Sequence, residues 1–172
     1  GAEGITTIGS GDDLTLVLAM QREWKDDPKA RTKLLAYNPA KEEWTAAHYP
    51  LEEAKKGWVG LSEVTAHDGK LYVIERDNQI GSNAGLKAIY SVDLNEFKPA
   101  ALGDQLPLLA KELVRDLLPD LAGATNGYVV DKVEGFTIDA SGDAYLVTDN
   151  DGVDDSSGET IFLRLGKIEA TN

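Results

Sequence analysis

Glu134-Gly135-Phe136-Thr137, followed by Ser141-Gly142-Asp143, repeats a phrase from the start of the chain: Glu3-Gly4-Ile5-Thr6, followed by Ser10-Gly11-Asp12. The two stretches align without a gap, and Glu, Gly, Thr, Ser, Gly and Asp all coincide. A looser copy lies between them, Gly60-Leu61-Ser62-Glu63-Val64-Thr65 and then Asp68-Gly69-Lys70. Each copy leads into a strand-like apolar run: Leu14 to Leu18, Leu71 to Ile74 and Ala144 to Val147. A further run follows each time, at Leu34 to Tyr37, Ala88 to Val92 and Ile161 to Leu165. One unit thus reads strand, tight Gly/Asp turn, strand, polar loop, strand. The Ser-Gly-Asp and Asp-Gly-Lys turns supply the positive φ that hairpins demand. In the first unit Glu43 to Tyr49 adds a fourth, outer strand.

Recurring units of three or four antiparallel strands predict an all-β chain of propeller blades. A β-sandwich also uses short strands, but has no need to open twice on the same Glu-Gly-x-Thr. The expected blades span residues 1–56, 57–100 and 131–172. Residues 101–130 form an insertion in which Leu106, Leu109, Leu113 and Leu117 fall at helical spacing. A short amphipathic helix within 105–121, stopped by Pro119 and packed on the blade edge, is the expectation; a partner-binding helix is the alternative. Propellers typically close with about 4–8 blades. Three are therefore expected to be part of a larger ring, completed by the remaining blades of the same protein or by another fragment. The opening Gly1 to Thr6 already reads as strand, so the true N-terminus is expected upstream.

Composition narrows the chemistry. The chain has 172 residues, 42% apolar and 27% charged, with a net charge of -13. That balance argues against nucleic acid, whose phosphates call for clustered Lys and Arg. Without cysteine there are no disulfides, no Cys-ligated zinc and no thiol nucleophile. No apolar run approaches the roughly 20 residues of a membrane-spanning helix. His48 and His67 are the only histidines, and neither sits in an Arg-His-Gly context. There is no Gly-x-Ser-x-Gly elbow, Walker loop or dinucleotide fingerprint. Trp24, Trp44 and Trp58 read as blade packing rather than a ligand platform.

Three groups of residues carry candidate chemistry. Glu3, Glu63 and Glu134 sit early in each unit's first strand. The first strands of a propeller line its channel, so these glutamates would converge as an acidic ring suited to calcium, a hard cation taking about 6–8 oxygen ligands. Alternatively each glutamate accepts backbone amides of a neighbouring strand, as a repeated latch. The second group is the acidic loop from Asp149 through Asp151 to Asp155. Its Gly152 is fourth and Glu159 eleventh from Asp149, which rejects an EF-hand. A looser calcium loop holding Asp149 and Asp151 and a solvated Asx turn both stay open. The third is Glu75-Arg76-Asp77-Asn78 at a strand end. There Arg76, with Asp77 and with Lys87 and Lys132 nearby, would hold a phosphate or carboxylate, or Arg76 would pair with acids of the next blade.

Several phrases in order resemble one known family: Gly60 to Thr65, Val73 to Asn78, Val133 to Thr137, and Val147 to Gly152 followed by Glu159-Thr160. Together they resemble the C-terminal half of the phytase-like ("esterase-like activity of phytase") domain. The resemblance implies a propeller, an exported (periplasmic or extracellular) bacterial protein, and distant kinship with calcium-dependent propeller phytases. A small phosphorylated or ester substrate follows from it, with calcium as the cofactor. It carries over no catalytic residue. Two functions follow as expectations: a calcium-dependent phosphoester hydrolase, or a non-catalytic propeller that binds a ligand or partner with calcium only structural.

Overall fold

The apolar runs form strands wherever a Gly or Asp turn lets the chain double back. The computed structural model describes residues 1–150 and 160–168. The first sheet runs in order β1 (Ala2–Ile8), β2 (Thr15–Met20), β3 (Arg31–Asn38) and β4 (Glu43–Pro50). The second contains β5 (Val59–His67), β6 (Lys70–Asp77), β7 (Lys87–Asp93) and, as its outer strand, β9 (Glu112–Asp116). Between them in sequence, β8 (Ala100–Ala101) crosses back to pair with β4. The third sheet is β10 (Lys132–Ile138), β11 (Asp143–Asp149) and β12 (Phe162–Lys167). All strand pairs are antiparallel. The β5–β6 turn is the two-residue hairpin its sequence predicts, with Asp68 and Gly69 both at positive φ, 42° and 78°.

The sheets stack face to face as consecutive blades. One core lies between the first two, built from Val17, Leu34 and Tyr49 against Val64, Leu71 and Val73. A second lies between the last two, where Ile74 and Ile89 meet Phe136 and Leu146. The first strands lie side by side and are stitched by small polar side chains. Ala66 N donates to Thr6 Oγ1 at 3.0 Å, and Thr65 Oγ1 donates to the Phe136 carbonyl at 2.9 Å. The approach is close: a Cβ on Gly4 would lie 2.4 Å from Glu63 Oε1 and 2.5 Å from Val64 N.

The stack also has two open faces. Val64 and Phe136 occupy register-equivalent positions and are 1% and 6% exposed, whereas Ile5 at the same place in the first blade is 59% exposed. On the opposite face Leu34 and Ile89 are fully buried, but their equivalent Phe162 is 69% exposed.

Register corrects two expectations. Every first strand carries a bulge, between Ala2 and Gly4, Leu61 and Glu63, and Val133 and Gly135. The bulged residues are therefore Glu3, Ser62 and Glu134, while Glu63 occupies the place of Gly4 and Gly135. The gapless alignment also fails beyond the first strand. The β1–β2 hairpin is three residues longer than β10–β11 and folds Gly11–Asp13 into a 3-10 turn.

The helix within 105–121 is likewise corrected. Residues 112–116 are strand β9, and the only helix longer than one turn among the described residues is α1, Leu118–Ala124. Pro119 starts this helix instead of stopping one, because its missing N–H costs nothing in a first turn. The leucines do not share one face. Leu109 is held by a strap in which Leu109 N donates to His48 O at 2.9 Å, Leu113 is exposed, and Leu117 is buried.

Candidate functional site

Strands β5 and β10 begin, and β6 and β11 end, on one face of the stack, and most candidate residues gather there. Arg76 is buried at the end of β6. Its Nη2 donates to Glu134 Oε1 at 2.7 Å and its Nη1 to Asp131 Oδ1 at 3.3 Å. Its guanidinium carbon lies 5.7 Å from the centre of the Trp58 ring. Of the two readings of Arg76, this is the pairing with acids of the next blade. Asp77 beside it organises a loop: its carboxylate accepts from Gly85 N at 2.6 Å and Leu86 N at 2.9 Å.

Fully buried Lys87 completes the network, donating to the carbonyls of Asp77 at 2.7 Å and Asp131 at 2.8 Å. Burial lowers the Lys87 ammonium below its usual range, and the charges of Asp77 and Asp131 oppose that shift. Lys132 faces Asp149 across the blade at 3.9 Å.

The glutamates part company. Glu3 lies 3.6 Å from the chain's first amino group. Glu134 belongs to Arg76. Glu63 accepts from Val64 N at 2.8 Å and from the backbone amide of Phe136. Burial raises its carboxyl above the usual range, and those two hydrogen bonds pull the other way. Glu63 thus has the geometry of the latch. Among the described residues, no three His, Cys, Asp or Glu side chains converge as a metal-holding group. The described glutamates do not fit a calcium ring. Asp151 and the rest of the acidic loop to Glu159 lie outside the described residues.

Two features escaped the sequence reading. The first is a buried network between blades one and two. Glu75 accepts from Tyr49 Oη at 3.1 Å and from Lys111 Nζ at 2.5 Å, and Lys111 also reaches Glu52 at 3.0 Å. Burial raises the Glu75 carboxyl even so, with Lys111 counteracting. A glutamate ending the apolar run Leu71 to Ile74 was the available signal. The second is a groove of about 500 Å³ on the same face, lined by Arg22, Glu23, Lys29, Glu53 and Trp58 among others. Arg22 stands 5.1 Å from the centre of the Trp58 ring, so that ring has a guanidinium within cation–π range from each of two blades. Of the three tryptophans, Trp58 is half-buried beneath the two guanidiniums. Trp24 and Trp44 are exposed, and Trp44 stacks on Tyr37 with centroids 4.6 Å apart.

A family model described as "Phytase-like: Esterase-like activity of phytase" matches residues 1–152. The chain belongs to the phytase-like family. That match covers the first two blades and β10 and β11 of the third. Among curated proteins and among solved structures, nothing matches this phytase-like chain. The face carrying Arg76, Trp58 and the groove lies wholly within the matched region. No helix among the described residues is long and apolar enough to cross a membrane.

Proposed function

We propose that this phytase-like domain hydrolyses a small phosphorylated ester bound in the Trp58 groove. The observation that carries the reading is a pair of exposed cations in a groove whose lining also holds Glu23, Glu52 and Glu53. Arg22 and Lys29 line it, both exposed, beside an aromatic wall. The Arg22 guanidinium would hold a phosphate through its planar fork, with Lys29 as a second point charge. Exposed Glu53, also in the lining, would take the proton of an attacking water. Arg76 acts as a positioning residue, since its two terminal nitrogens are taken up by Glu134 and Asp131 while it braces Trp58.

Calcium would be held by Asp149, at the end of β11, together with Asp151, and would neutralise phosphate charge; no step here is routed through it. The exposed Ile5 and Phe162 faces support further blades completing a ring, and kinship supports export from a bacterial cell.

The test is release of p-nitrophenol from p-nitrophenyl phosphate and from p-nitrophenyl acetate. Turnover of the phosphate that falls at least tenfold in kcat/KM in Arg22→Gln supports the reading. Turnover of the acetate alone would place the activity on carboxylic esters. A second reading, a non-catalytic ligand-binding propeller, is favoured by one observation: the groove lining contains no Ser, Thr, Cys or His. Binding of phosphate without turnover of either probe would establish that reading instead.

A further inference from the structure

The Trp58 groove is lined by two loops, residues 21–30 between β2 and β3 and residues 51–58 between β4 and β5. Leu51 N donates to Ala30 O at 2.9 Å and ties one loop to the other. Glu52 N donates to Glu75 Oε1 at 2.5 Å and Trp58 N to Asn78 Oδ1 at 3.0 Å, so the second loop is also tied to the second blade. These bonds fix the backbones that carry the groove's charges.

Those charges do not suit a plain anion. The lining holds two cations, Arg22 and Lys29, and three carboxylates, Glu23, Glu52 and Glu53. Glu52 already has the Lys111 ammonium at 3.0 Å. Among the described residues Glu23 pairs only with Arg22, whose Nε is 3.8 Å away, and the two side chains are 30% and 44% exposed. An exposed pair of this kind is weak. Lys29 and Glu53 make no ion pair among the described residues. A phosphate dianion seated on Arg22 and Lys29 draws Arg22 away from Glu23 and sets further negative charge beside it. Like charges this close repel. The ligand that fits the groove therefore brings a positive charge of its own.

Building on the phosphate reading of this groove, and resting on it, we infer that the substrate is an aminoalkyl phosphate: a phosphate monoester that also carries an ammonium group. Its phosphate lies on the planar fork of Arg22, with Lys29 as the second charge. Its ammonium lies against Glu23 and replaces the Arg22 contact that the phosphate draws off. Glu53 keeps its place as the base. A polyphosphorylated ligand is selected against, because each further phosphate meets Glu23, Glu52 or Glu53 with like charge.

Isothermal titration calorimetry of the full chain at neutral pH compares O-phosphoethanolamine with ethyl phosphate, a monoester of similar size without the ammonium. Phosphoethanolamine is expected to bind at least tenfold tighter. Glu23→Gln, at a partly exposed loop position and expected to melt like the wild type, should bring the two affinities together. Inositol hexakisphosphate, a polyanion, should bind more weakly than phosphoethanolamine. Equal affinity for the two monoesters, a preference that survives Glu23→Gln, or tighter binding of the hexakisphosphate would each overturn the inference. Arg22→Gln separates that failure from failure of the groove. Monoesters that bind without discrimination and weaken in Arg22→Gln overturn the ammonium site alone. Monoesters that ignore Arg22→Gln, or that fail to saturate at millimolar concentrations, overturn the groove reading and the ammonium site together.

Discussion

Replacing Arg76 with Met asks how much the seam between the second and third blades depends on one buried guanidinium. In the wild type its two pairing nitrogens reach Glu134 at 2.7 Å and Asp131 at 3.3 Å, and its side chain is only 3% exposed. Met fills similar volume, so lost packing is small and the main effect is electrostatic. Glu134 loses its cation and Asp131 keeps only Lys87, 3.4 Å away, while both keep their places in the seam. Breaking one side of a buried ion pair costs about 3–5 kcal/mol. Asp131 and Glu134 are 20% and 28% exposed, so water reaches them and the lower end applies, about 3 kcal/mol. For a chain of this size that corresponds to a fall in Tm of about 6–12 °C. Lys41→Met is the control. Its pair with Asp13 spans 3.2 Å between side chains 51% and 85% exposed, and such pairs contribute less than about 1 kcal/mol. Adding Glu134→Gln to Arg76→Met should recover part of the loss, because it removes one stranded charge. The assay is thermal unfolding by circular dichroism at fixed pH and salt. If Arg76→Met melted no lower than Lys41→Met, the buried network would be contributing nothing, and the reasoning about the seam would be refuted.

Three further outcomes follow from the same structure. The Glu63 carboxyl is raised by burial in the fold, so its contribution to stability is full below the usual Glu range and is lost as pH rises through the raised value; urea unfolding at pH 7, 5.5 and 4 should show wild type gaining stability relative to Glu63→Gln as pH falls. Asp139 has the opposite sign: hydrogen bonds from Ser141 and the Asp143 amide lower its carboxyl to about 2, so its contribution is present above the usual Asp value and disappears between there and about pH 2; Asp139→Asn should flatten the acid limb of the same curve. Gly4→Ala places a Cβ 2.5 Å from Val64 N and should cost about 1–3 kcal/mol by overpacking, whereas Gly123→Ala, inside α1 with nothing within 4 Å, should stabilise by up to about 1 kcal/mol in chemical denaturation.

The sequence by itself determined the strands and their grouping. Period-two apolar runs bounded by Asp68-Gly69 or Ser141-Gly142 have few conformations other than hairpins, and the repeated Glu-Gly-x-Thr phrase marks where the first and third blades begin. The outer strand from Glu43 was legible for the same local reason. What the tertiary structure decided was everything that depends on which strand neighbours which. A bulge moves Glu63 one place out of step with Glu3 and Glu134, and no local pattern shows that shift. Leucines at helical spacing became a strap, a strand and a helix start, because strand β7 offered hydrogen bonds that residues 112–116 took up. Arg76 could be seen as a lone cation at a strand end, but only the packing of the third blade brings Asp131 and Glu134 against it. The Trp58 groove is assembled from residues far apart in the chain, so it does not exist until the sheets have stacked and the loops have closed over their edges.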